Sequence, residues 1–260
     1  MKSNSFVTGN SNNLQLLALG LLMVSANPVQ ALNYRFSDLG TIAGPYQGMT
    51  VSGINNHGQV IGGDGVIPYV WAGELASPLD APPNADSTTG NAINDVGQTA
   101  GGNYSVAQDR GYPIRWNGVS ATVVTTLGGG FISSALAINN SGQMVGSSYF
   151  GGSFRPVRWD GDVITEMNTL GGSAGTAGSI NDAGVVVGQS RITNDEATHA
   201  TLWNGTEATD LGTLGGTGST AIDINNSGQI VGWGNITGDL SEHAIYWIDS
   251  TAAASDLGTL

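Results

Sequence analysis

Apolar residues along this chain come in short bursts, each closed off by glycine or asparagine, and the bursts recur in a fixed order. Stretches such as Thr220–Ile224, Gln229–Trp233 and Ala244–Ile248 are rich in Val, Ile, Thr and aromatic residues and are too short for helices. That composition, bounded by Gly and Asn, predicts β-strands. The phrase Ile-Asn-(Asn/Asp)-x-Gly appears at Ile54, Ile93, Ile138, Ile180 and Ile224, at spacings of 39, 45, 42 and 44 residues. A tryptophan keeps the same beat at Trp71, Trp116, Trp159, Trp203 and Trp247, spaced 45, 43, 44 and 44. Self-similarity at that period is the signature of a repeat architecture.

The last full copy divides into four apolar segments: one ending near Leu211, then Thr220–Ile224, Gln229–Trp233 and Ala244–Ile248. Between the second and third lies Asn225-Asn226-Ser227-Gly228. An Asn at the first place can bond the backbone two residues on, and a Gly at the last can take positive φ. The segment therefore predicts a tight hairpin with a bulge. Its counterparts begin and end at Asn55 and Gly58, Asn94 and Gly97, Asn139 and Gly142, and Asn181 and Gly184. A further glycine follows each turn at Gly62, Gly101, Gly146, Gly188 and Gly232, where close backbone approach is expected. The repeated tryptophans are expected to fill the space between neighbouring units. A four-stranded antiparallel unit of about 44 residues is the size of a propeller blade. The fold class is all-β, β-propeller-like, with a β-solenoid as the alternative; five copies exclude a trefoil. These recurring Asn, Gly and Trp positions form a structural signature, because a residue present in every copy is explained by folding.

Residues 1–31 read as a secretory signal. Lys2 precedes an apolar run from Leu14 to Val24, and small residues stand before a cut after Ala31. The run is too short to span a bilayer of ~30 Å; an uncleaved anchor is the alternative. No later segment is apolar enough to cross a membrane. The remaining 32–260 form one β repeat domain with five full repeats and the start of a sixth at Asp256-Leu-Gly-Thr-Leu260. Either that last strand closes the ring near Asn33 to Asp38, or the chain is a piece of a longer repeat protein, the reading favoured here.

Composition narrows the function. There are 41 Gly and no Cys, so neither disulfides nor thiolate metal sites hold the fold. All 20 acidic residues lie after residue 31, against six Arg and no Lys there. That imbalance argues against nucleic acid and anionic membrane surfaces as partners.

The units Asp-Leu-Gly-Thr-Leu-Gly-Gly, Ala-x-x-Ile-Asn-Asn-Ser-Gly-Gln-x-Val-Gly and His-Ala-x-x-Trp resemble the bacterial extracellular HAF-repeat family over nearly all of 32–260. The His-Ala triplets appear as His199-Ala-Thr and His243-Ala-Ile, without the Phe of the family's name. The resemblance implies an exported bacterial protein with a propeller-like β fold, and implies no activity.

Apparent catalytic motifs fall in phase with the repeat. Gly171-Gly-Ser173-Ala-Gly175 matches a nucleophile elbow, but no helical pattern follows it. His199 and His243 sit 44 residues apart at equivalent places, and His57 lies at a hairpin tip. Asp223-x-Asn-x-Ser-Gly228 resembles the opening of a calcium loop but lacks the downstream acid, with Gly234 in its place. No catalytic, cofactor-binding or metal-ligating residue is assigned. The sequence reads as an exported scaffold that binds a protein or glycan ligand; alternatives are a structural surface or matrix protein and, less favoured, a glycan-active enzyme. Function is expected where the repeat fails, at the irregular loop Asp80 to Asp86, at Asp195-Glu196 and in the unfinished sixth copy.

Overall fold

The computed structural model describes residues 38–39, 49–249 and 253–259; residues 1–31, read above as a secretory signal, and all but Asp38 of the stretch Asn33 to Asp38 lie outside the described residues. Twenty strands build five four-stranded antiparallel sheets, each following chain order. Sheet one is β1 (Thr50–Ile54), β2 (Gln59–Gly63), β3 (Pro68–Ala72) and β4 (Leu75–Pro78). Sheet two is β5 (Ser87–Ile93), β6 (Gln98–Ser105), β7 (Arg110–Asn117) and β8 (Ser120–Val123). Sheet three is β9 (Ser133–Ile138), β10 (Met144–Phe150), β11 (Ser153–Asp160) and β12 (Val163–Glu166). Sheet four is β13 (Gly171–Ile180), β14 (Val186–Ile192), β15 (Thr198–Asn204) and β16 (Glu207–Asp210). Sheet five is β17 (Gly215–Ile224), β18 (Ile230–Ile236), β19 (Glu242–Trp247) and β20 (Ser255–Gly258). The architecture is propeller-like, and the repeat units are sheets rather than solenoid rungs.

The unit begins one strand later than the sequence suggested. Asp-Leu-Gly, taken above as the opening strand of each copy, is the outer strand of the preceding sheet. Asp256-Leu257-Gly258 therefore completes sheet five as β20 and does not open a sixth unit. The backbone ladder sets this pairing, and a side-chain contact across the two outer strands accompanies it. His199 Nδ1 meets Asp210 at 2.8 Å, and His243 Nδ1 meets Asp256 at 2.9 Å. Arg155 and Glu166 take the same two places in sheet three, 3.7 Å apart. The His-Ala and Asp-Leu-Gly signatures are thus two halves of one contact across strands.

Four apolar clusters hold the sheets together, one at each junction between consecutive sheets. Trp116 packs with Ile61 and Leu79 of sheet one. Trp159 packs with Ala100 and Val124, Trp203 with Val145 and Met167, and Trp247 with Val187 and Leu211. Each indole therefore fills the gap to the preceding sheet, and all four are fully buried. Burying one removes roughly 200 Å² from water, an upper estimate of about 5 kcal/mol before entropy is subtracted. Each indole N–H donates to a backbone carbonyl just past the outer strand of that neighbour: Asp80, Thr125, Asn168 and Leu211, at 2.6–2.9 Å. Trp71 is buried too, but its Nε1 has no partner among the described residues.

Two glycines per unit do different work. Gly228 closes the hairpin at φ +80° with open space around it. Gly232 sits opposite a bulge in β17, where a Cβ would overlap the carbonyl oxygen of Thr220. The same overlap recurs at Gly62, Gly101, Gly146 and Gly188, which is the close approach their spacing suggested. Gly228→Ala should cost about 1 kcal/mol, from backbone strain alone. Gly232→Ala should cost at least about 3 kcal/mol, because backbone cannot move aside as a side chain can. Urea denaturation of the two variants checks the order.

Candidate functional site

The five Asn-x-x-Gly turns converge on one open, polar cavity of about 380 Å³. Each turn is closed by its first asparagine. In the third copy, Asn139 Oδ1 accepts the N–H groups of Ser141 and Gln143 at 3.1 and 3.0 Å. Its Nδ2 donates to Gln143 Oε1 at 2.8 Å and reaches across to the carbonyl of Asn181 at 3.1 Å. The cross-sheet bond repeats from Asn55 to Asn94, Asn94 to Asn139 and Asn181 to Asn225, at 2.9–3.2 Å. One side chain thus shapes its own turn and fastens the next sheet. Asn55, Asn94, Asn139 and Asn181 are buried, and satisfied.

The second turn residue alternates between amide and acid around the mouth: Asn56, Asp95, Asn140, Asp182, Asn226. Asn140 Nδ2 bridges the carboxylates of Asp95 and Asp182 at 3.1 and 3.0 Å. The amide and then the backbone N–H of Asn56 hold the Asp95 carboxyl below its ordinary value. The backbone N–H of Asn140 does so first for Asp182, helped by the amides of Asn226 and Asn140 and opposed by desolvation and then by the charge of Asp95. The mouth is therefore a fixed pair of carboxylates whose oxygens are already engaged by the ring itself. It is a clasp before it is a receptor.

The other sequence candidates settle as structural contacts. Ser173 donates its hydroxyl to Asp195 at 2.6 Å, so its partner is a carboxylate rather than an imidazole. Thr217 and Asp239 repeat that clamp in sheet five, at 3.0 Å. Asp195, expected to break the repeat, is thus in phase with it. Asp223 accepts from Ser179 Oγ at 2.6 Å. In the 80–86 loop, Asp80 holds Trp116 and Asp86 accepts the Val106 N–H at 2.7 Å. No group of three or more His, Cys, Asp or Glu arranged to hold a metal occurs among the described residues.

The repeat does fail at the opposite end of the strands. Tyr104, Phe131, Phe150 and Phe154 are the exposed aromatic residues among those described, and all belong to sheets two and three or the link between them. Counted back from the hairpin isoleucine, Phe131 holds the place that Ser173 and Thr217 take in the next two copies. Counted back from the repeat tryptophan, Phe154 replaces Thr198 and Glu242. The Arg110 guanidinium lies 4.8 Å over the Phe131 ring, and Phe154 meets Tyr149 edge-on at 5.2 Å. Beside Tyr104, a groove of about 180 Å³ is walled by Asn103, Ser87, Ser133, Ser134 and Ile132. Sequence reasoning missed this strip; the detectable signal was an aromatic residue at a position that is small or polar in the later copies.

Asn139→Ala should cost about 2–4 kcal/mol, since it orphans buried N–H groups, whereas the exposed Asn225→Ala should cost under about 1. Chemical denaturation distinguishes them. Asp95 and Asp182 favour the charged form more in the folded than in the unfolded chain, whose reference value is 3.8. The stability they contribute is complete above that pH and disappears as pH falls through the lower folded values. A D95N/D182N variant should flatten the drop of Tm below about pH 4, as measured by calorimetry across a pH series.

No protein-family model matches the chain, and no curated protein matches it in sequence. Solved structures match its shape. A structure described as putative TolB from Agrobacterium tumefaciens aligns with a TM-score of 0.60 at 10% identity, covering 79% of this chain and 78% of that one. The β-propeller domain of the Trilobed protease from Pyrococcus furiosus, described as having an open velcro topology, aligns at 0.52 and 10% identity, covering 77% and 63%. At such identities the likeness concerns the fold: the chain folds as these propellers do.

Proposed function

We propose that this chain is an exported scaffold that holds a glycan on the aromatic strip of sheets two and three. The observation that carries the reading is the gathering of every exposed aromatic ring among the described residues at one end of two adjacent sheets. Flat rings beside a groove of hydroxyl and amide side chains suit a sugar, whose C–H faces stack while its hydroxyls bond. Single exposed apolar residues are ordinary, but several exposed rings at one end of two adjacent sheets suit a binding surface. Loops presented by a rigid β framework are a common place for such a surface. Export is supported by the signal-like residues 1–31 and by the resemblance to HAF repeats, and no helix among the described residues is long and apolar enough to cross a membrane.

Affinity electrophoresis against a panel of polysaccharides, together with a glycan array, tests the reading. A retarded mobility is expected for at least one polymer. The Phe131→Ala/Phe154→Ala variant should bind that polymer about tenfold more weakly, the equivalent of about 1.4 kcal/mol, with thermal unfolding unchanged. Binding that survives intact in the double variant, or no glycan bound at all, would sink the proposal.

A further inference from the structure

The residue after each repeat tryptophan stands where the third strand of its sheet ends. In sheet three it is Asp160, whose carboxylate accepts Gln143 Nε2 at 2.5 Å and Arg158 Nε at 2.9 Å. Asn139 steadies Gln143 for this by donating to its Oε1 at 2.8 Å. Sheet two holds the same two donors in the same places. Arg115 precedes its tryptophan as Arg158 does, and Gln98 faces the end of the strand across the ladder. Gln98 Oε1 accepts from Asn94 at 2.9 Å, so its amide is oriented as in sheet three. The acceptor is what differs. The position is Asn117, whose side chain makes no hydrogen bond among the described residues. Arg115 instead faces Asp162 in the next sheet's hairpin, 3.7 Å away. Asn117 is exposed and is followed by Gly118, in a tight hairpin closed by Asn117 and Ser120. Gly118 has no side chain to hinder its backbone nitrogen, and the space around it is open.

We infer that Asn117 is a site of spontaneous modification, at which deamidation supplies the carboxylate that Arg115 and Gln98 are placed to bind. The Gly118 nitrogen attacks the side-chain carbonyl carbon of Asn117 and gives up its proton. A new C–N bond forms, the bond to the amide nitrogen breaks, and ammonia leaves behind a cyclic imide. Water then opens the ring. Addition at the side-chain carbonyl restores the normal backbone with aspartate at 117. Addition at the main-chain carbonyl gives isoaspartate, whose backbone runs through the side chain. Only the aspartate places its carboxylate as Asp160 does. Sheet four provides an internal comparison. Asn204-Gly205 occupies the equivalent hairpin, and Asn204 is also exposed. The residues at the two donor places there are Leu202 and Val185, so an aspartate at 204 meets no donor side chain from them. The two sites share the reactive pair and differ in what receives the product.

Peptide mapping by mass spectrometry, with fragmentation that separates aspartate from isoaspartate, follows the full chain during incubation in mildly alkaline buffer. Acid should accumulate at 117 and 204 ahead of every other asparagine. Asn117→Gln should abolish conversion at 117 and leave conversion at 204 unchanged. The receiving site is tested by calorimetry. Asn117→Asp should unfold about 1–3 °C above the unaltered chain, whereas Asn204→Asp should show no gain. Introduced into an Arg115→Gln background, Asn117→Asp should lose its gain relative to Arg115→Gln alone. An Asn117 that stays intact overturns the proposal. So does an Asn117→Asp variant no more stable than the unaltered chain, or one whose gain survives without Arg115. Glycan binding is independent of each result, since Asn117 and the aromatic strip lie at opposite ends of the strands.

Discussion

The structure depends on one amide doing two jobs. In the hairpin of Asn139, the first asparagine accepts two N–H groups of its own turn with its oxygen and donates to the neighbouring sheet's backbone with its nitrogen, and Asn55, Asn94 and Asn181 make the same crossing. Local geometry and long-range assembly are thereby coupled in a buried group, where an unmade hydrogen bond is costly. Leucine or aspartate at that place fails for opposite reasons: the first has no hydrogen bonds to make, and the second has no N–H to send across. The tryptophans act farther out with similar logic, an apolar body filling the junction and one N–H reaching the preceding sheet. Polar and apolar fastening thus fall in register at every junction, so neighbouring sheets have one way to meet.

That economy explains why repeated residues carry so little chemistry. Ser173, His199, His243, Asp195 and Asp223 each have a partner inside the fold. The carboxylates of Asp95 and Asp182 are held by amides around the turn-end mouth, and their lowered pKa reflects that grip. The opposite end is less constrained, because the clamp of Ser173 with Asp195 and of Thr217 with Asp239 is absent where Phe131 stands. Freed from fastening, that end of sheets two and three carries exposed rings.

The hairpins, the bulge glycines and the packing of tryptophan between units were legible from residue types alone. Each rests on a local rule, such as positive φ at Gly228 or the absence of room for a Cβ at Gly232. The strand that begins a unit was not legible. A repeat can be cut at any point of its period, and only the pairing of β19 with β20 decides where the cut falls. The aromatic strip escaped for a related reason: Tyr104, Phe131 and Phe154 are 23 or more residues apart and come to the same end of sheets two and three only in the folded chain.

The sequence by itself therefore determined the strand composition, the turn chemistry, the period and the propeller-like class, because these are set by near neighbours and by repetition. Tertiary structure alone decided the phase of the unit, the amide clasp between sheets, the pairing of His-Ala with Asp-Leu-Gly, and which end of the sheets is left open. Those follow from contacts between residues one whole period apart or on facing strands. The Ile-Asn-x-x-Gly phrase announces such contacts by recurring, but it does not say which atoms meet.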